Sequence, residues 1–250
     1  MAIPKELKAD IQNFTLERYR LLKEQYGPFD VAKSFSEILN AVKENFSTHK
    51  HFRTLKDPEQ SWKGILGHLL ETLFQINIEE GVKEFGLCCS KPVKKSLVKN
   101  YNKIKEEISV EIGINVVQPD SDLVIYSLEL AKAIAILSIK KKFRERIAQV
   151  AYWTVKLRSK GKPIKNFMVT TDEDETFSLE KKERKKKIKS RLKEEVQKAK
   201  AIAEVDTNGT FVAADFDIEE TQRIKPYSKI FDELKQLKEE RLKLKNESDK

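Results

Sequence analysis

Cysteine is almost absent from this 250-residue chain: Cys88 and Cys89 are the only two, and they are adjacent. Neighbours in sequence rarely bond to each other, and no C-x-x-C spacing occurs. A disulfide framework and a thiolate zinc site are therefore excluded. The three histidines, His49, His51 and His68, lack metal-ligand spacing with a second candidate. His49 and His51 read as loop or helix-end residues, and His68 as a packing residue. No apolar run reaches the length of a membrane-spanning helix, and the start MAIPKELKAD has no apolar signal core. These absences point to a reducing cytoplasm. No internal repeat is visible.

Charge, by contrast, is abundant. Lysine plus arginine numbers 49 against 40 acids, a net charge of +9. That balance fits a polyanionic partner such as nucleic acid or an anionic membrane surface, and equally a soluble protein with a lysine-rich surface. Apolar residues at 39% suffice for a real core in one large domain or two small ones.

The first hundred residues read as helices. Leu7, Ile11, Phe14, Leu16 and Leu21 recur at roughly helical spacing before Pro28 interrupts, and Asp30 to Phe46 resumes the pattern. Asp57-Pro58 marks a turn. A central helix follows from Ser61 to about residue 85, with Ser61 as its cap and Ile65, Leu66, Leu69, Leu70, Leu73, Phe74 and Ile76 as a wide apolar face. Ser96 to Ile112 reads as another helix. Then the period changes. Leu123 to Tyr126 and Ala133 to Ile139 are short apolar runs bounded by charge, the pattern of strands buried on both faces. Arg144 to Arg158 returns to helix, and Asn166 to Thr171 is a third strand. An acidic turn spans 171–175, and Ser178 to Ala203 is a highly charged helix. Asn208-Gly209 signals a hairpin within Val205 to Phe216. From Lys229 onward the chain is helical and charged. The expected fold is α/β: a central mixed sheet flanked by helices. Its organisation is a helical region over 1–60, a core over 61–228 with the charged insertion 178–203, and a C-terminal helix over 229–250 suited to oligomerisation.

Chemistry concentrates between Pro119 and Arg146. Asp120 stands at the mouth of one strand and Lys140 at the end of the next. If the strands pair, the two side chains converge at the sheet edge. A carboxylate there can hold magnesium, and a lysine can orient water and offset developing negative charge, which suits phosphodiester hydrolysis. Arg144, Glu145 and Arg146 follow at the start of a helix. Arginine matches O6 and N7 of guanine, and glutamate can accept from N4 of cytosine, so the triplet can read G·C pairs. Each part has a plainer explanation: a turn for Pro119-Asp120, a solvated strand end for Lys140 to Lys142, surface charge for the triplet.

Pro119-Asp120 with Ser138-Ile139-Lys140 resembles the PD-(D/E)XK nuclease signature, with Ser138 in place of the usual acid two residues before the lysine. That replacement, with Arg144-Glu145-Arg146 beyond it, resembles the type II restriction endonucleases that recognise CCGG or CCNGG, most of all their BsaWI type. The resemblance covers 119–158, and more loosely 61–85. It implies a Mg2+-dependent enzyme that cuts both strands of duplex DNA at a palindrome and leaves 5′-phosphate ends. It implies a homodimer or tetramer, Asp120 as metal ligand, Lys140 as catalytic lysine, and Arg144, Glu145 and Arg146 as base readers. A glutamate on the helix before the sheet corresponds to Glu71, a second metal ligand, although Glu71 also fits the edge of an apolar stripe reaching solvent. The family's relocated metal-binding glutamate would fall seven residues beyond the last arginine, where this chain has Trp153, a core residue by type. Asp122 and Glu129 are the substitutes at hand.

Further along, Lys181 to Lys193 could grip phosphates, or form a solvated or subunit-packing helix. Ile230, Leu234, Leu237 and Leu244 suggest a helix with a partner. The alternatives to a restriction enzyme are a non-catalytic basic nucleic-acid scaffold, which has no need of the Asp120–Lys140 pair, and a structure-specific repair nuclease with the same metal centre.

Overall fold

The computed structural model describes residues 3–91, 101–144, 146–179 and 190–248. Eight helices and eight strands are found among them. The helices are α1 (Lys5–Asp30), α2 (Phe35–Phe46), α3 (Lys50–Arg53), α4 (Pro58–Lys83), α5 (Tyr101–Ile108), α6 (Ile147–Ser159), α7 (Ser190–Asp206) and α8 (Lys229–Ser248). The strands are β1 (Leu87–Ser90), β2 (Val110–Ile112), β3 (Asn115–Val117), β4 (Leu123–Ser127), β5 (Lys132–Lys140), β6 (Lys165–Thr170), β7 (Gly209–Val212) and β8 (Ile224–Pro226). Six of these form a mixed sheet in the order β1-β4-β5-β6-β7-β8. The β1, β4 and β5 pairings are antiparallel, and those from β5 to β8 are parallel. The short β2–β3 hairpin stands apart.

All five residues of β4 are buried, as are seven consecutive residues of β5. Such strands need cover on both faces, which explains their unbroken apolar runs. On one face Leu123, Ile125, Leu137, Ile139, Phe167 and Phe211 pack against α1, α2, α4 and α8. On the other, Val124 and Ile136 pack with α5 and the C-terminal part of α6, while Met168 and Val212 pack with α6 and α7.

Several elements differ from the sequence expectation, each for a local reason. The central helix begins at Pro58, because Asp57 caps it by accepting from Gln60 N at 2.9 Å; Ser61 instead donates to the Asp57 carbonyl. The helix expected to end at Ile112 stops at Ile108, since Gly113 turns the chain with φ +60° and Val110–Ile112 pairs as β2; residues 96–100 lie outside the described residues. Asn208-Gly209 makes no hairpin. Its Asn208 side chain accepts from Asn166 N at 2.9 Å and hands α7 directly to β7, which runs parallel to β6. Ser178 forms a bridge with Ile218 rather than starting a helix; residues 180–189 of the basic segment lie outside the described residues. Strands β1 and β8 are too short to show in the pattern. In α8, Ile230, Leu234 and Leu237 are buried in the chain's own core, leaving Leu244 exposed.

One buried amide ties the helical layer together. Asn77 in α4 donates to the Pro28 carbonyl at 2.6 Å, just past the Gly27–Pro28 kink of α1, and accepts from the Tyr227 hydroxyl at 2.8 Å. Nearby, a Cβ on Gly81 would overlap the Phe231 ring, so α8 can approach α4 only over glycine. Asn77→Ala strands the part-buried Pro28 carbonyl and the buried Tyr227 hydroxyl, and is expected to cost about 1–3 kcal/mol in denaturant unfolding. A loss under about 0.5 kcal/mol would show that the network does not hold the layer.

Candidate active site

Antiparallel pairing of β4 with β5 aligns Leu123 with Leu137, so the residues before β4 lie beside the end of β5. Asp122 N donates to the Leu137 carbonyl at 2.8 Å, extending the ladder by one bond. Its carboxylate then turns to Lys140: Oδ2 accepts from Lys140 Nζ at 2.8 Å and from Ile139 N at 2.6 Å. The pair is mostly shielded, with side chains 15% and 25% exposed. Asp120 shares this edge but is directed elsewhere. Its carbonyl accepts from Ser138 Oγ at 3.3 Å, and its exposed carboxylate accepts from Gln149 Nε2 at 2.5 Å. The aspartate that meets the lysine is thus Asp122, two residues beyond the one the signature singles out.

Glu71 arrives from α4. Its carboxyl is raised above the usual range, first by burial and then by the negative charge of Asp122; Lys91 and Lys140 pull it partly back. Asp122, Lys140 and Glu71 therefore share one electrostatic neighbourhood. Lys91 Nζ lies 3.6 Å from Glu71 and 3.4 Å from His68 Nδ1, and His68 lines the groove between α1 and α4. His68 is exposed there, not packed. Glu129 sits in the turn at the opposite end of the β4–β5 hairpin, paired with Lys238 at 3.3 Å, and is no part of this edge. Trp153 packs against the core beside α5.

Beyond β5 the arginines precede the helix. Arg144 lies in a turn, Arg146 occupies the N-cap position of α6, and Glu145 lies outside the described residues. Arg146 Nη1 donates to Gln149 Oε1 at 3.2 Å, so Gln149 bridges Arg146 to Asp120. Arg144 Nε donates to Asp174 at 2.8 Å.

Asp174 belongs to the acidic turn after β6, to which the sequence reading assigned no role. Burial works against its charge, but Arg144 and the Phe143 and Arg144 N–H groups outweigh it and hold the carboxyl below the usual range. Asp172 is fully buried, accepts from Thr176 N and Phe177 N, and is pushed up to about 7, first by burial, with the charge of Asp174 adding to it. The backbone is left-handed at Asp172 and Glu175, with φ of 50° and 45°. That backbone is invisible in the residue types.

The chain is an enzyme of the restriction-endonuclease class, by its family and its relatives, and its mixed sheet covered by helices on both faces is the fold of solved members of that class. More narrowly, it belongs to the family described as BsaWI restriction endonuclease type 2, whose model matches residues 97–237. It is 27% identical over 216 residues to a Methanocaldococcus jannaschii protein named as a type II restriction enzyme, MjaVIP, covering 80% of this chain and 91% of that one. To a Helicobacter pylori protein named as a type II restriction enzyme, HpyAORF263P, it is 28% identical over 187 residues, covering 66% and 92%. In fold it is similar to the restriction endonuclease AgeI in complex with DNA, at TM-score 0.50 and 12% identity over 94% of this chain and 92% of that one. The BsaWI–DNA complex aligns at TM-score 0.47 and 14% identity, covering 93% and 94%. Family membership sets aside the scaffold and repair-nuclease alternatives. No helix among the described residues is long and apolar enough to cross a membrane.

Restriction endonucleases of this kind generally use divalent metal ions. Among the described residues no three or more His, Cys, Asp or Glu side chains gather as a ready metal cluster. The donor set at the edge nevertheless fits a hard cation: two carboxylates, Glu71 and Asp122, with the Asp122 charge raising the cost of ionising Glu71, and Asp120 at the rim.

The buried acid gives a pH signature. Asp172 titrates at about 7 in the folded chain against an ordinary 3.8, so the folded state holds a proton that the unfolded chain has already released. The contribution of this group to stability therefore falls as pH rises from about 4 to about 7 and is flat above. Unfolding free energies measured across this range should show the Asp172→Ala variant lacking that downward component; identical slopes for both proteins would contradict the assignment.

Proposed function

We propose that this chain is a Mg2+-dependent endonuclease that cuts both strands of duplex DNA at a palindrome with a CCGG or CCNGG core, leaving 5′-phosphate ends, as a homodimer or a tetramer. The observation that carries the reading is the Lys140–Asp122 pair with Glu71 in its field at the sheet edge. Mg2+, when bound, would be held by oxygen ligands from Glu71, Asp122 and Asp120, and would supply charge neutralisation and activation of water at the scissile phosphate. Lys140 keeps one ammonium proton near the attacking water or the phosphate oxygens, where negative charge develops. Ser138 stands where an acid would be expected and bonds the Asp120 carbonyl, bracing the rim.

Arg144, Glu145 and Arg146 read the C·G pairs. This is supported by the position of Arg144 and Arg146 next to the same edge: Arg146 reaches Asp120 through a single glutamine, so base contact and phosphate chemistry sit on one rigid segment. A palindrome has a two-fold axis, and one protomer would read each half-site. Duplex DNA as partner is further supported by the +9 net charge.

Lys140→Ala and Asp122→Asn should each lower cleavage of a sequenced plasmid in Mg2+ by at least about a hundredfold with the unfolding midpoint retained; full activity in either would remove the centre. Asp120→Ala should lower it too, and an effect far smaller than that of Asp122→Asn would restrict the metal ligands to the inner pair. Sequencing the ends of the wild-type digest identifies the site. Arg144→Ala and Arg146→Ala should each weaken binding to that site by about 1–3 kcal/mol more than binding to random duplex; equal losses on both would reduce them to phosphate contacts.

A further inference from the structure

We infer that Asp174 is a specificity-positioning residue, which fixes the guanidinium of Arg144 in advance so that its outer edge meets a base. The inference rests on the reading of Arg144 given above and deepens it. The Asp174 side chain is only 7% exposed. It accepts from Phe143 N at 3.0 Å, from Arg144 N at 3.4 Å and from Arg144 Nε at 2.8 Å. Two of these bonds set the backbone as it leaves β5. The third takes hold of the inner nitrogen of the guanidinium. Because the guanidinium is planar, a bond at Nε fixes its rotation and leaves the parallel Nη1 and Nη2 edge outside that bond. That edge has the spacing of guanine O6 and N7. An arginine held this way has surrendered its rotamer freedom before DNA arrives.

The support behind Asp174 is more than a surface ion pair would require. Glu173 N donates to the Lys141 carbonyl at 2.9 Å, and Thr171 Oγ1 to the same carbonyl at 3.3 Å, so the turn after β6 is pinned to the segment after β5 twice just before Asp174. Asp172 anchors the turn from beneath through Thr176 N and Phe177 N, at 3.0 and 2.9 Å. Left-handed backbone at two non-glycine residues persists only where its surroundings dictate it. A cap on residues 143–144 would need the two backbone bonds alone. The Nε bond is the feature that a capping role leaves without purpose.

The test compares equilibrium binding of the full chain, wild type and variants, to a duplex carrying the site read from the digest ends and to the same duplex with that site scrambled. Arg144→Ala should lower the ratio of the two affinities by about tenfold or more. Asp174→Asn should lower it by at least about fivefold, and Asp174→Asn in the Arg144→Ala background should lower it no further than twofold. If Arg144→Ala lowers the ratio while Asp174→Asn leaves it within twofold of wild type, or if the two losses multiply, Asp174 does not act through Arg144 and the inference is overturned. An Arg144→Ala variant with undiminished discrimination refutes the earlier reading of Arg144 instead. Should Asp174→Asn fail to fold, the wild-type protein decides. The Arg144 Nε–H resonance, assigned by its loss in Arg144→Lys, should exchange with solvent at least tenfold more slowly than that of the exposed Arg146; equal exchange would overturn the inference.

Discussion

The bond between Lys140 and Asp122 is where the fold becomes a site. Lys140 ends the longest strand of the sheet, and Asp122 precedes the neighbouring antiparallel strand by one residue. The β4–β5 register alone brings them to 2.8 Å. A shift of one residue would send the carboxylate to the other face of the sheet. The apolar residues of both strands, buried on two faces, prevent that shift, so the helical layers hold the chemical pair in place.

The remaining groups follow from strand direction. From β5 onward the strands are parallel, so the segments after β5 and β6 leave the sheet at the same edge. The segment after β5 carries Arg144 and Arg146, and the one after β6 carries Asp172 and Asp174. Loops at the carboxyl ends of parallel strands are common places for ligand sites, because several segments converge there on a rigid base. Here that convergence sets the acids of the candidate metal site beside the arginines proposed to meet DNA. Gln149 spans the two, bonded to Asp120 on one side and Arg146 on the other.

Much of this was legible in the residues themselves. Two-sided burial announced β4 and β5, helical period announced α1, α2, α4 and α6, and the Pro119-Asp120 and Lys140 spacing pointed to one edge of the sheet, where both residues lie. The errors share a cause. Asn208-Gly209 has the composition of a hairpin turn, yet serves as a helix-to-strand junction because Asn208 bonds across to Asn166, 42 residues away. Ser61 looks like a cap, but Asp57 lies nearer the true start and has the better-placed oxygen. A signal read from neighbours in sequence cannot register a partner from a distant strand.

The chain by itself determined the class of architecture and the segment that carries the candidate site, because burial pattern and charge at strand ends are local properties of residue types. Which aspartate meets Lys140, that Glu71 joins them from α4, and that an acidic turn grips Arg144 were decided only by tertiary structure. Each depends on strand register, helix docking or left-handed backbone, and those are set by contacts between residues far apart along the chain.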